Sequence, residues 1–403
     1  MKKPLIIHII TRLEPGGSSR NVIDSCAAQI SDYDVALFSG PYKDSASLLK
    51  LLPPEVNYIE IKSLQREICA AADFRALLEL KREIAGLEPA IVHTHTSKAG
   101  ALGRLAAAMA NLRFKKPAVI IHTPHGHLLY GYYGPLKTFI FRLTEKFLSR
   151  FTDYFIALTP GEMRESVAAG IGEPGQWRVV HSGVDFKPPA VPAHKVDLGI
   201  ATDEIAVGTV ARLEPVKGVE YLIRAAALLD TRLPAIRLKF VIIGGGELET
   251  KLRKLADSLG VRDRVIFTGF RYDAAAIMAA LDIYAQPSLN EAMGRAPLEA
   301  QALGLPVVVS RVCGLPDIIV EEKTGLAVKA GDAEALATAL ERLILSQKLR
   351  VRMGSAAKAW AAAPDATGFP RFGLESMNAQ LLTLYRNQRN ESASRSKKNT
   401  PDI

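Results

Sequence analysis

The feature that most constrains this chain is a regular alternation of short, continuous apolar runs with helix-like segments. Leu5–Ile10 is the first such run, and Ser19–Ile30 follows it with a helical pattern. Apolar strands that alternate with helices are typical of a parallel sheet covered by helices on both faces. The alternation breaks at a proline-rich stretch, 184–194, and then starts again. We therefore expect an α/β protein with two doubly wound domains that face a central cleft.

The same pattern predicts the domain boundaries. We expect a first domain at 1–185, a linker at 186–200 and a second domain at 201–370. A last helix at 371–389 is expected to cross back to the first domain, and the polar tail at 390–403 is expected to be disordered. Besides Leu5–Ile10, the predicted strands are Ala90–His93, Ala118–Thr123, Tyr154–Leu158, Arg178–His181, Ile205–Ala211, Leu238–Ile243, Val265–Thr268, Ile283–Gln286 and Val307–Ser310.

Composition agrees with two globular domains. A chain of 403 residues is long for one hydrophobic core. No run approaches the 18 or so apolar residues of a membrane span. The start faintly resembles a signal peptide, but its apolar run is short and no small-residue cleavage site follows, so a buried first strand is expected. Three widely spaced cysteines argue against a disulfide framework and for a reducing compartment.

Positive charge is concentrated in one region. The net charge is +9, and 98–150 contains nine basic residues with Glu145 as the one acid. Such a region can bind anionic lipid, a diphosphate-bearing substrate or nucleic acid. The chain has no aromatic-basic nucleic-acid motif, so we expect no nucleic-acid partner.

A predicted helix in this basic region, 136–151, has an aromatic side and a basic side. Phe139, Ile140 and Phe147 are on the broad apolar face, and Arg142 and Lys146 are on the opposite one. A basic helix with an aromatic face can bind at a bilayer surface. We expect the apolar face to pack on the sheet and the basic rim to contact the membrane.

Two carboxylates, Glu291 and Glu299, stand eight positions apart across a loop that leads into a predicted helix, Pro297–Leu303. Proline suits the first helical turn because its missing N–H has no partner there. Glu299 then falls in that turn, near unpaired N–H groups that attract phosphate. Because a carboxylate there can bind sugar hydroxyls, the loop suits a nucleotide-diphosphate sugar. The alternative is a surface loop with a helix-capping glutamate.

Two further loops follow predicted strands. Arg212 is expected at the end of a strand and Lys217 at the start of a helix, where both cations can neutralise a diphosphate. Gly16 and Gly17 open the first helix, and glycine lets backbone amides approach a phosphate or sugar closely. The alternatives are solvated surface cations and a plain turn capped by a serine.

Five of the eight histidines cluster in the first domain: His93, His95, His122, His125 and His127. No cysteine or carboxylate accompanies them at ligand-like spacing, so no metal is expected. Some are expected to recognise polar ligands, while structural hydrogen bonds are expected for His93 and His122. The run Gly244–Gly246 does not open a dinucleotide fingerprint, because Glu249 stands where glycine is required.

Taken together, these motifs resemble the retaining glycosyltransferases of family 4, which have the GT-B fold. The resemblance covers nearly the whole chain. Its motifs are Glu-Pro-Gly-Gly at 14–17, Val-His-Thr-His-Thr-Ser-Lys-Ala-Gly at 92–100, His-Thr-Pro-His-Gly-His at 122–127, Ala-Arg-Leu-Glu-Pro-Val-Lys-Gly at 211–218, Gly-Phe at 269–270, the Glu-x7-Glu element at 291–299, Gly-Leu-Pro at 304–306 and Gly-Leu-Pro-Asp at 314–317.

The resemblance implies a nucleotide-sugar donor on the second domain, with no cofactor and no metal. Its implied donor contacts are Arg212 and Lys217 on the diphosphate, Glu299 on the ribose hydroxyls, Glu291 on the transferred sugar, the amides of Met293 and Gly294 on the diphosphate or sugar, His125 near the sugar, and Gly16 and Gly17 near the leaving phosphate. Many relatives have glycine where Ala292 stands, and a positive φ there would strain alanine.

The acceptor is implied to bind mainly on the first domain, with Ser97, Lys98 and His127 as candidate contacts. These segments look most like enzymes of bacterial cell-surface polysaccharide synthesis, lipopolysaccharide included, which use polyprenyl-diphosphate-linked sugars. The resulting hypothesis is a retaining hexosyltransferase that uses a UDP-sugar. It would be cytoplasmic and peripherally associated with the anionic inner face of the cytoplasmic membrane. The alternatives are a nucleotide-sugar epimerase of similar shape and a non-enzymatic membrane-surface binding protein.

Overall fold

The chain forms two compact units in this computed structural model, which describes residues 3–43 and 45–398. Among the described residues, the first unit contains those of 3–129, 135–183 and 374–398, and the second contains Tyr130–Gly134 and Val184–Gly373. The predicted boundary at 185 therefore lies within two residues of the break near Val184, but a short segment at 130–134 belongs with the second unit.

The first unit is a seven-stranded parallel sheet in the order β3-β2-β1-β4-β5-β6-β7. Its strands are β1 Leu5–Arg12, β2 Asp34–Gly40, β3 Asn57–Glu60, β4 Ile91–His95, β5 Val119–Thr123, β6 Tyr154–Ala157 and β7 Trp177–Val179. The helices between them are α1 Gly17–Gln29, α2 Ser45–Leu49, α3 Ala70–Leu87, α4 Ser97–Asn111, α5 Pro135–Leu148 and α6 Pro160–Ala168.

Strand β1 shows why the sheet is covered on both faces. Ile6 and Ile10 pack into one buried cluster, whereas Ile7 and Ile9 pack into another. Successive side chains of a strand point to opposite faces, so a continuous apolar run requires apolar cover on both. His8 shares the face of Ile6 and Ile10, and it is fully buried.

The second unit is a six-stranded parallel sheet in the order β10-β9-β8-β11-β12-β13. Its strands are β8 Ile205–Val210, β9 Leu238–Ile243, β10 Val265–Gly269, β11 Ile283–Gln286, β12 Val307–Ser310 and β13 Gly325–Val328. Its helices are α7 Val219–Arg232, α8 Glu249–Ser258, α9 Ala274–Met278, α10 Arg295–Ala302, α11 Ala333–Ile344 and α12 Gln347–Ala361. Two doubly wound parallel sheets confirm the predicted fold class.

The last helix, α13 Leu374–Lys398, belongs to the first unit. Its Met377, Leu381 and Tyr385 join the same buried cluster as Ile6 and Ile10. The helix also includes 390–398, a segment whose polar sequence predicts disorder. In the structure this segment continues the helix that the buried residues begin. The rest of that predicted tail, 399–403, lies outside the described residues.

Helix α5 corrects a prediction about its apolar face. Of its residues, Leu148 is buried, while Leu136, Phe139, Ile140, Leu143 and Phe147 are each 48–73% exposed. The helix is held instead by a polar anchor, because the fully buried Arg104 of α4 donates to both carboxylate oxygens of Glu145 at 2.7 and 2.9 Å. No described helix is long and apolar enough to cross a membrane.

Candidate functional site

Most of the predicted donor contacts lie at one place in the second unit. Strands β8 and β11 are neighbours, and the chain leaves them toward opposite edges of the sheet. Open α/β sheets bind ligands at such a switch point, beyond the carboxyl ends of the strands. The loop after β8 contains Arg212 and Lys217, and the loop after β11 contains Glu291. The fold therefore brings together residues that are about 80 positions apart in the chain.

Lys217 and Glu291 form an ion pair at the centre of this place. Lys217 Nζ lies 2.5 Å from Glu291 Oε2, and only 16% and 17% of the two side chains are exposed. Lys217 ends a 3-10 turn, Pro215–Lys217, and α7 begins two residues later, so it precedes the helix that it was predicted to start. The pair offers one cation and one carboxylate side by side, partly shielded from water.

The backbones of the two loops are held against each other. The Leu289 amide donates to the Val216 carbonyl at 2.7 Å. Between them Gly218 adopts φ 62°, and a Cβ there would lie 2.1 Å from the Pro287 carbonyl oxygen. Only glycine fits this position, because the left-handed backbone and the close approach both exclude a side chain.

A buried polar chain positions Glu291 from beneath. The Tyr284 hydroxyl donates to Gln286 Oε1 at 2.7 Å, and Gln286 Nε2 donates to Ser288 Oγ at 2.8 Å. Ser288 then donates to Glu291 Oε2 at 3.4 Å. Burial raises the pKa of Tyr284 above its usual range, so the phenol remains a neutral donor. In this chain each side chain accepts a hydrogen bond from the residue before it and donates one to the residue after it, ending at the Glu291 carboxylate.

Glu299 lies two residues further into its helix than predicted, in the second turn and not the first. Helix α10 begins at Arg295, two residues before Pro297, and the first turn contains no acidic residue. Glu299 nevertheless lies near Glu291, because both carboxylates lie close enough to Tyr284 to affect its phenol. Burial is the main cause of the raised pKa of Tyr284, and the negative charges of Glu299 and Glu291 raise it further. The helix starts early because Gly294, at φ 79°, turns the chain and serves as its N-cap.

The amides predicted to contact the donor precede this helix start. Met293 is buried and Gly294 is the N-cap, so their backbone N–H groups belong to the end of α10 that attracts anions. Ala292 is buried and does not have positive φ, which in this loop falls on Gly294. Ala292 therefore has no backbone strain from a positive φ.

The glycine run Gly244–Gly246 supports the loop that contains Arg212. The Leu213 amide donates to the Gly245 carbonyl at 2.9 Å, and Cβ atoms on Gly244 and Gly246 would lie 2.0 and 2.7 Å from neighbouring backbone atoms of this loop. The glycines thus let two loops pack backbone to backbone. Arg212 is 43% exposed and pairs with Glu214 at 3.0 Å.

One segment of this site was missed by the sequence reasoning. The Asn290 side-chain amide donates to the Tyr130 carbonyl at 2.8 Å, which attaches 130–134 to the loop after β11. Desolvation, and then the charge of Glu291, raise the pKa of Tyr132 above its usual range. A signal existed, since three tyrosines and two glycines within five residues, 130–134, are unusual for a plain connection.

The first unit has its own switch point, between β1 and β4. Gly16 and Gly17 follow β1, and Gly16 is the N-cap of α1 with no side-chain cap, so neither serine caps the helix. Ser97 follows β4 as the first residue of α4. Thr96, between β4 and α4, has φ 62°, a conformation that is costly for a non-glycine residue and common at functional sites.

His125 lies in the loop after β5, also with positive φ, at 56°. Its Nε2 lies 3.0 Å from His95 Nδ1. The loop is held by Glu162 of α6, whose two carboxylate oxygens accept from the amides of Gly126 and Leu158, both at 2.7 Å. Complete burial raises the pKa of Glu162 to about 7, although these two hydrogen bonds favour its charged form.

The two ionisable acceptor-side candidates already have protein partners. Lys98 Nζ lies 2.6 Å from Asp73, and it also donates to the Glu67 carbonyl. His127 Nε2 lies 2.6 Å from Glu165, and desolvation lowers the pKa of His127 even though Glu165 opposes the shift. An acceptor would therefore have to share or displace these contacts, and the assignment stays a prediction.

Four histidines of the central strands, His8, His93, His95 and His122, lie in the interior of the first unit. His93 bonds to Tyr385 and Thr123 at 2.6 and 2.8 Å, and His122 bonds to Thr94 at 2.9 Å. His8 was missed by the sequence reasoning, although a histidine within an apolar strand was a signal. Among the described residues His8, His93 and His95 bring ring nitrogens within 4.8 Å of one another, so the expectation of no metal stays a prediction.

Known proteins match both units of the chain. The profile of "Glycosyl transferases group 1" matches 191–360, and that of "Glycosyltransferase Family 4" matches 15–187. The chain is 29% identical to the UDP-Gal:alpha-D-GlcNAc-diphosphoundecaprenol alpha-1,3-galactosyltransferase of Escherichia coli, over 77% of this chain and 80% of the relative. It is 31% identical to the D-inositol 3-phosphate glycosyltransferase of Corynebacterium urealyticum, over 75% and 72%.

A solved structure shows the same fold. Anabaena Alr3699/HepE in complex with UDP-glucose superposes with a TM-score of 0.78 at 22% identity, over 95% of this chain and all of that one. Both units therefore match one enzyme family in sequence, and the chain as a whole matches its architecture. The chain belongs to family 4 of the glycosyltransferases, and it has the GT-B fold.

Proposed function

We propose that this glycosyltransferase transfers a sugar from a UDP-sugar to a polyprenyl-diphosphate-linked sugar or glycan, with retention of configuration and without a metal. The observation that carries the proposal is the 2.5 Å contact between Lys217, in the loop after β8 that also contains Arg212, and Glu291, in the loop after β11, at the switch point of the second unit. A nucleotide sugar presents a diphosphate and several hydroxyls, and this set contains a partner for each.

Binding of the donor would break the ion pair between Lys217 and Glu291 and give each of them a new partner on the nucleotide sugar. Lys217 turns from Glu291 to the diphosphate, and the Glu291 carboxylate then accepts from hydroxyls of the transferred sugar. Arg212 and the amides of Met293 and Gly294 share the diphosphate charge. Glu299 accepts from the ribose hydroxyls. The contacts of Lys217, Arg212 and the two amides with the diphosphate strengthen as negative charge builds up on this departing group.

Transfer then breaks the bond between the anomeric carbon and the diphosphate oxygen. The acceptor hydroxyl attacks from the face that the diphosphate leaves, and its proton passes to an oxygen of the donor phosphate. His125 lies near the sugar in this proposal, with Gly16 and Gly17 near the leaving phosphate. The charge is neutralised by cationic side chains and amides, so we expect activity in the presence of a chelator.

The relatives suggest the substrates. The Escherichia coli relative is named for UDP-Gal and for a GlcNAc-diphosphoundecaprenol acceptor, and the Anabaena structure contains UDP-glucose. We carry the UDP-sugar and the lipid-linked acceptor over to this chain as parts of the proposal. Cell-surface polysaccharide synthesis is the process that such an acceptor serves.

Helix α5 supports a peripheral position at the inner face of the cytoplasmic membrane. It exposes Phe139, Ile140 and Phe147, and Arg142 and Lys146 on the same helix are also exposed. Apolar side chains can enter the headgroup region while lysine and arginine bind anionic lipid. A lipid-linked acceptor would be reached from that surface.

Labelled UDP-sugars, incubated with the purified chain and a membrane lipid extract, test the proposal. Transfer of label to the lipid fraction, with the α configuration of the donor kept in the product, is the expected result. Isomerised UDP-sugar in the absence of any acceptor would indicate an epimerase instead. A chain that neither binds nor consumes any UDP-sugar would favour the non-enzymatic alternative.

A further inference from the structure

A line of hydrogen bonds runs from His125 into the core of the first unit. His125 Nε2 meets His95 Nδ1 at 3.0 Å, His95 Nε2 meets His8 Nδ1 at 2.9 Å, and His8 Nε2 meets Gln29 Oε1 at 2.8 Å. His95, His8 and Gln29 are at most 1% exposed. The line thus ends on an uncharged side chain of α1, away from solvent.

The end of the line determines the direction of every hydrogen bond in it. An amide oxygen can only accept, so His8 Nε2 must carry a hydrogen and donate it to Gln29. Burial lowers the pKa of His8 to about 4 and that of His95 well below its usual range, so both rings are neutral near pH 7. A neutral imidazole has one donor and one acceptor. His95 Nε2 therefore donates to His8, and His125 Nε2 donates to His95.

A metal site is the competing interpretation of these imidazoles. His8, His93 and His95 bring nitrogens within 4.8 Å of one another. However, both ring nitrogens of each of the three already have a protein partner, His93 being bonded to Tyr385 and Thr123. A ligand for a metal needs a free lone pair, so the contacts favour hydrogen bonding.

We propose that Gln29, acting through His8 and His95, fixes His125 as the tautomer with its hydrogen on Nε2. The Nδ1 atom of His125 then accepts a hydrogen bond from whatever group it meets. Gln29, His8 and His95 are positioning residues. If the proposed function is correct, that group is a hydroxyl of the transferred sugar, and the line pre-orients the ring for it. The tautomer itself does not depend on the reaction.

Nitrogen-15 NMR of the full chain with labelled histidine tests the tautomer directly. The wild type should show His125 with hydrogen on Nε2 and no hydrogen on Nδ1. Gln29→Glu keeps an acceptor at the end of the line and should keep this pattern. Gln29→Leu removes the acceptor and should give a mixture of tautomers at His125. His8→Phe, which breaks the line at another point, should do the same.

Two results would overturn the proposal. One is hydrogen on Nδ1 of wild-type His125, since a Gln29 amide turned the other way would reverse every donor. The other is a His125 pattern that neither Gln29→Leu nor His8→Phe changes while the rest of the spectrum stays native. Zinc added to the wild type should leave the nitrogen signals of His8, His93 and His95 in place, and specific shifts there would establish the metal site instead.

Kinetics separate a positioning role from a structural one. In the transfer reaction Gln29→Leu should lower kcat by about tenfold to a hundredfold, the usual effect of losing a supporting hydrogen bond, with KM for the donor little changed. Gln29→Glu should restore most of kcat. Equal losses in both variants would count against the proposal, and a chain without transferase activity would leave the NMR result as its test.

Discussion

At the scale of single residues, Lys217 binds a different anion in the free protein and in the proposed donor complex. In the free protein it neutralises Glu291, and in the proposed complex it neutralises the diphosphate. Lys217→Ala should therefore lower kcat/KM for transfer about a hundredfold, the size of losing one charge-stabilising group. Glu299→Ala should have an effect of similar size. Lys348→Ala, an exposed lysine on α12, is the control and should transfer at the wild-type rate. Wild-type turnover in folded Lys217→Ala would remove that assignment.

Gly218 makes a separate prediction about stability. Alanine at its φ of 62° costs about 1–2 kcal/mol, and its Cβ would also meet the Pro287 oxygen at 2.1 Å. Gly260 is a matched control, because it has φ 71° with open space around its Cβ position. In urea unfolding, Gly218→Ala should lose more free energy of unfolding than Gly260→Ala, and it should also lose donor affinity. Equal losses in the two variants would show that the loops do not meet as described.

Several site residues could be predicted from the sequence because motif and chemistry agree on them. Arg212, Lys217 and Glu291 follow strands, carry the charges a nucleotide sugar needs, and lie at one switch point. The role of His8 could not be predicted in this way, because its hydrogen-bond partner His95 becomes visible only once β1 is known to lie beside β4. The Ser288 link to Glu291 likewise depends on side-chain direction, which spacing alone does not give.

At the scale of elements, α6 controls the loop that holds His125. Glu162 is fully buried, and burial raises its pKa from 4.5 to about 7. The folded state therefore binds a proton that the unfolded state releases between those two values, so this group's contribution to stability is complete below pH 4.5 and is lost as pH rises through 7. Relative to Glu162→Gln, the unfolding free energy of the wild type should fall by roughly 3 kcal/mol over that range. Parallel pH profiles for the two proteins would contradict this assignment.

Elements were predicted best where apolar runs are long and continuous. Leu5–Ile10, Leu238–Ile243 and Val307–Ser310 all lie within or match observed strands. Strands β2, β3 and β13 were missed. Strand β3 is short and only partly buried, so its apolar pattern is weak. The start of α10 was placed two residues late, because Pro297 suggested a first position whereas Gly294 sets the true one.

Helix α5 shows why an amphipathic pattern does not by itself decide which face is buried. Its apolar face was expected to pack on the sheet, yet the ion pair of Glu145 with Arg104 attaches the helix through a polar contact. A buried arginine on α4 was not visible in the sequence, because α4 reads as an ordinary helix of small residues. With this anchor, Phe139, Ile140 and Phe147 remain exposed at the surface.

At the scale of the whole molecule, that exposed face predicts binding to a membrane. The purified chain should float with vesicles that contain anionic lipid. Flotation should decrease at high salt, because salt screens the attraction between the basic side chains of α5 and the lipid headgroups. Ile140→Asp should reduce the bound fraction about tenfold, since it places a charge in the apolar contact. Val351→Asp on α12 is the control, because Val351 is 61% exposed and Ile140 is 53% exposed. Equal binding of both variants would exclude α5 as the contact.

In the proposed function, the switch point of the second unit binds a nucleotide diphosphate through Lys217 and its neighbours. Calorimetric titration of the full chain with UDP tests it most directly, because binding needs neither the correct sugar nor an acceptor. We expect one saturable site in the wild type and in Lys348→Ala, with affinity weakened by about tenfold or more in Lys217→Ala through loss of a charge-assisted hydrogen bond. The same affinity in all three proteins, or no binding in any of them, would contradict it.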